Sequence, residues 1–73
     1  MSSDVAALRQ RIETECAAIH QALYGFAVVS KHEIIANRYE SLHQYTRQLA
    51  RVAGEQEANS FTCLTYTQAM EQP

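Results

Sequence analysis

Two glycines and one proline are the only strong helix breakers in this chain, and their placement dictates most of what it can become. Gly25 and Gly54 cut the 73 residues into three stretches, and the proline is the last residue, Pro73. Each stretch is long enough for several helical turns, with nothing inside it to interrupt the backbone hydrogen-bond ladder. Such a chain reads as all-α and, at this length, as one domain over residues 1–73.

The apolar residues agree. Val5, Leu8, Ile12, Cys16, Ile19 and Leu23 recur at steps of three and four, the period of one helical face. Ser2 or Ser3 can cap the start, Asp4 suits the positive end of the dipole, and Gly25 offers a stop. This predicts helix one over about residues 4–24. Helix two, over about residues 31–53, opens on a capping box. Ser30 and Glu33 stand three apart, with Val29 and Ile34 in the positions of a hydrophobic staple. Ile35, Tyr39, Leu42, Thr46, Leu49 and Ala53 then alternate steps of four and three, the spacing of helices that cross at a shallow angle. Arg47 and Arg51 lie near the negative end, and Gly54 closes the helix. The remainder predicts a short third helix over about residues 56–70, with Phe61, Leu64 and Ala69 on its face and Glu55 and Glu57 near its start. Residues 60–67 are rich in threonine and aromatics, which locally favours strand. A lone strand in a helical chain would have nothing to pair with.

A short connection between the first two helices predicts an antiparallel helical hairpin. With its centre near residues 27 and 28, facing residues have numbers summing to roughly 55. That sets Glu15 opposite Glu40, Ile12 opposite His43 and His20 opposite Ile35. Ile34, Tyr45 and Val52 form a second stripe beside the first, more surface than one neighbour can cover. A single core in so short a chain is marginal. Cys16 and Cys63 lie far apart without CxxC spacing, so association is a better supplement than a disulfide. The expectation is a homodimer completing a four-helix-type bundle, with Ile34, Tyr45, Val52 and Phe61 at the interface. In a monomeric three-helix bundle the same residues would be ordinary core.

Composition narrows the function classes. A net charge of −2 and a pI near 5.8 give no electrostatic match to phosphate backbones or anionic lipid. Lys31, Arg38, Arg47 and Arg51 do not share one helix face, so nucleic acid is not an expected partner. The longest apolar run, residues 26–29, is far too short to span a bilayer. No basic region followed by an apolar signal core begins the sequence, so a cytoplasmic location is expected. There is no nucleophile paired with a base and no Gly-rich phosphate loop, so neither an enzyme nor a cofactor is expected.

What remains is a protein–protein interaction or assembly module acting as a homo-oligomer, its partner itself or another helical protein. A second reading is a metal-binding bundle. Glu40 and His43 have the Glu-x-x-His spacing used by di-iron carboxylate bundles, and Glu15 on the facing helix could add a bridging carboxylate. Against it, Glu13 and Glu15 stand near Arg9 and Arg11, where surface ion pairs would account for them. Cys16 and His20 share a face, but a mid-helix cysteine in an apolar stripe reads as a buried, inert thiol. His32 sits in the first turn of helix two beside Glu33, and the capping geometry accounts for Glu33.

Overall fold

The computed structural model describes residues 2–24 and 31–71, and every one of these except Gly54 and Glu71 is helical. The helices are α1 (Ser2–Tyr24), α2 (Lys31–Ala53) and α3 (Glu55–Met70). Among the described residues there is no strand. α1 begins two residues earlier than the sequence suggests, and α3 one residue earlier. The capping box at Ser30, its staple partner Val29 and the stop at Gly25 lie outside the described residues.

Residues 60–67 are helical in spite of their threonines because packing outweighs propensity. The helix penalty of a threonine or aromatic residue is about half a kcal/mol, whereas burying one large apolar side chain gains about 1.5–3 kcal/mol. On α3, Ala58 is fully buried, and Phe61, Tyr66, Ala69 and Met70 pack around the core. Leu64, expected on that inner face, is 57% exposed. It lies six residues after Ala58, about 120° round the helix from it, so it points away from the core.

Gly54 joins α2 to α3 by itself. Its N–H donates to the Ala50 carbonyl at 2.9 Å, and its own carbonyl accepts from the Ala58 N–H at 3.0 Å. It therefore ends one ladder and starts the next. Its φ of +99° lies where an L side chain is strained, which is why a glycine stands there.

The buried core takes Leu8, Ile12, Cys16 and Ile19 from α1, Leu42 and Leu49 from α2, and Ala58 from α3. Both expected stripes are thus recognisable, though not every member is buried. Leu23 on α1 and Tyr39 on α2 remain exposed. Thr46 is the buried polar member of the α2 stripe, and its hydroxyl donates to the Leu42 carbonyl at 2.8 Å.

Side-chain contacts tie the helices together. Arg38 Nη1 on α2 lies 3.4 Å from both carboxylate oxygens of Glu15 on α1. The Arg11 guanidinium lies 5.7 Å from the centre of the Tyr45 ring. Between α1 and α3, Arg9 pairs with Glu57 at 3.5 Å and also covers the Phe61 ring at 4.9 Å. Two sequence expectations are corrected here. The cation engaging Glu15 comes from α2, and Glu15 is not the solvated partner of an arginine on its own helix. Arg9 likewise reaches across to α3.

Candidate functional site

A groove of about 580 Å³ lies between α2 and α3. Leu42 contributes an apolar wall, and hydroxyl pairs cross the groove at two levels. Tyr39 and Tyr66 are joined through their hydroxyls at 2.5 Å, and Thr46 and Thr62 at 2.7 Å. Since the Thr46 hydroxyl proton is already given to Leu42, Thr62 is the donor in the second pair. His43, Asn59 and Cys63 complete the lining, so neither a carboxylate nor a permanent cation borders the groove. The hydrogen bond from Tyr39, followed by burial, pushes the Tyr66 phenol up from 10.0 to about 12. Tyr66 is therefore neutral at any ordinary pH and presents hydrogen bonds without charge.

The four expected interface residues do not form one patch. Ile34 and Val52 are exposed, Val52 at 47%. Val52 shares a shallow hollow with Asp4, Arg11, Gln48 and Arg51. Tyr45 and Phe61 are half-buried and pack against the chain's own core. They lie under Arg11 and Arg9 respectively, two positions apart and so on nearly opposite flanks of α1. Phe61 therefore belongs to the α1–α3 seam, while Tyr45 belongs to the α1–α2 seam.

The expected metal ligands are also dispersed within one chain. Glu15 is only 8% exposed and is engaged by Arg38. Glu40 is exposed and accepts a hydrogen bond from Gln44 at 3.3 Å, while His43 lines the α2–α3 groove. Among the described residues, no three His, Cys, Asp or Glu side chains are grouped to hold a metal ion. Cys16 is buried, and burial first, then Glu15 and Glu13, pushes its thiol from 9.0 up to about 11. That is the reverse of what a reactive thiol needs. The His20 ring packs 5.0 Å from that of Tyr24, and His32 is exposed.

One surface stands apart from every sequence expectation. From residue 58 to residue 70, α3 carries no charged side chain. Its exposed residues there include Asn59, Ser60, Cys63, Leu64 and Thr67, which border a second, apolar depression. Asn59 and Cys63 line both this depression and the α2–α3 groove, so the two surfaces are continuous. In the sequence this surface is visible as a run without charge, overlapping the strand-favouring residues 60–67. Among the described residues no helix is long and apolar enough to cross a membrane. Comparison with known proteins gave no match to a family model, to a curated protein or to a solved structure.

Proposed function

We propose that this chain is an assembly module that associates with a second copy of itself. The observation that carries the reading is the balance between buried and exposed apolar side chains. Among the described residues, Leu23, Tyr24, Ile34, Tyr39, Val52 and Leu64 are all large and exposed, against a buried apolar core of seven that includes Cys16 and Ala58. Single exposed leucines are ordinary. Six together, from 36% to 66% exposed, leave apolar surface for a partner to cover, each gaining a fraction of the roughly 1.5–3 kcal/mol of full burial.

An antiparallel α1–α2 hairpin is the arrangement that the contacts support. Glu15 meets Arg38, Arg11 meets Tyr45, and Asp4 shares a hollow with Gln48 and Arg51, so numbers rise along one helix as they fall along the other. In a dimer, each copy would cover part of the apolar surface, Ile34 and Val52 among it, that the other leaves exposed. A different helical protein could occupy the same apolar surface by the same packing rules.

The test is the native mass of the purified protein at micromolar concentration, by native mass spectrometry or sedimentation. The expected species has twice the 8.2 kDa chain mass. A particle that keeps the mass of one chain across the concentration range overturns the proposal.

A further inference from the structure

The side of α2 opposite its buried stripe carries its charges in order. Glu33, Asn37, Glu40, Gln44, Arg47 and Arg51 are all exposed and follow one another at steps of four and three, so they share that side. Its two carboxylates lie in the N-terminal half of the helix and its two guanidiniums in the C-terminal half. Arg38 turns instead to Glu15 on α1. Among the described residues, Arg9 and Arg38 form ion pairs within the chain, while Arg47 and Arg51 form none. A hollow of about 230 Å³ between Gln44, Arg47, Gln48 and Arg51 has no carboxylate on its rim. Two exposed apolar side chains follow the same division, Ile34 beside Glu33 and Val52 beside Arg51. Glu33 and Arg51 are eighteen positions apart, as are Ile34 and Val52, which is five whole turns and about 27 Å. The members of each pair therefore point the same way from opposite ends of α2, too far apart to meet within one chain.

We infer that a second copy lies antiparallel along this side of α2, with the two-fold axis near residues 42 and 43. The inference rests on the self-association reading above and names the surface that carries it. In a two-fold contact residue i meets residue j of the other copy, and j meets i. Reversing α2 about that midpoint sets Glu33 against Arg51 of the other copy, Glu40 near its Arg47 and Ile34 against its Val52, each of them twice. Asn37 then faces Gln48, and each of these amides can both donate and accept. The surroundings of Val52 agree. Its hollow is bordered by Arg11 and Arg51, with Asp4 as the carboxylate on the rim, so Ile34 would arrive with Glu33 facing two guanidiniums. A parallel pair would instead set each charge beside its own kind. A foreign acidic helix would match the arginine half of this side and be repelled by Glu33 and Glu40, whereas a reversed copy of the same face matches both halves. The opposed charges also offset the repulsion between two chains of net charge −2.

The test is a charge swap at low salt, where exposed charges are least screened. Arg51→Glu and Glu33→Arg each turn both symmetry-related ion pairs into like-charge contacts. Each should raise the dimer dissociation constant about tenfold or more. An equimolar mixture of the two variants restores opposite charges at both contacts, so native mass spectrometry should show the mixed dimer in excess over either homodimer. The double variant Glu33→Arg with Arg51→Glu keeps the wild-type net charge and should dimerise as the wild type does. Both positions are exposed, so circular dichroism should show helicity retained. Where a reversal lowers it, Glu33→Gln and Arg51→Gln take its place, with the same preference for the mixed dimer. If the wild-type chain dimerises and the single variants leave its constant unchanged, the α2 surface is wrong while self-association stands. If the single variants weaken the dimer and neither the mixture nor the double variant recovers it, the antiparallel pairing is overturned. A wild-type chain that is monomeric throughout overturns both proposals.

Discussion

Cys16 and Cys63 are the same side chain in opposite settings, and the difference is measurable. A thiol reagent at neutral pH should titrate one cysteine in the native protein and two after denaturation. Two fast-reacting thiols in the native state would contradict the burial of Cys16, which is 1% exposed. The same burial makes stability depend on alkaline pH. Cys16 is raised from 9.0 to about 11 by burial and by the neighbouring Glu15 and Glu13, so the native state holds its proton more tightly than the unfolded chain does. The resulting stabilisation is complete below pH 9 and is lost as pH rises through about 11, in total about 2–3 kcal/mol. Urea midpoints measured from pH 8 to 11.5 should fall accordingly, and Cys16→Ala should flatten the part of that decline due to the thiol. The burial of Cys16 was legible in the sequence because it stands on the three-four stripe of α1. The burial of Glu15 was not, because its cause is Arg38, distant in sequence and reaching across from α2.

Among the elements, α1 and α2 announce themselves by periodicity, whereas α3 is helical mainly because of what it packs against. The sequence alone sets a strand-favouring run against an argument from isolation, and the core decides the matter through Ala58. Small size hides such a residue from hydrophobic patterning, while Leu64, the conspicuous apolar residue, points outward. The α2–α3 junction depends on one backbone conformation. At Gly54 a Cβ would meet nothing within 4 Å, so a substitution there is opposed by φ alone and not by crowding. Gly54→Ala should therefore destabilise the protein by about 1–3 kcal/mol. Its signature in chemical denaturation should be a lower midpoint with little change in helicity below the transition. An unchanged midpoint would mean that the junction relaxes into an ordinary conformation at no cost.

For the whole molecule, the three helices form an elongated body of 40 × 23 × 19 Å. Its accessible surface is 5280 Å², against about 4,500 Å² for a compact monomer of this mass. The radius of gyration, 12.7 Å, likewise exceeds the roughly 11 Å expected for a compact chain of this length. A long, thin bundle buries little per residue, so its stability alone is small, and the association proposed above would add a large share of the total. Thermal unfolding should then depend on concentration, because a dimer that separates on unfolding is favoured by mass action. Raising the protein about 100-fold, from roughly 1 to 100 µM, adds about 2.7 kcal/mol per dimer and should raise Tm by about 5–10 °C. On the proposed dimer, a charge placed at an exposed apolar position that the second copy covers should lower Tm at the higher concentration and remove most of that slope. Leu49→Ala should behave differently. It deletes a fully buried side chain, costs about 2–5 kcal/mol, and should lower Tm at every concentration. A wild-type Tm that is flat over the same range would show that the surface left open by the three helices is not closed by a second copy.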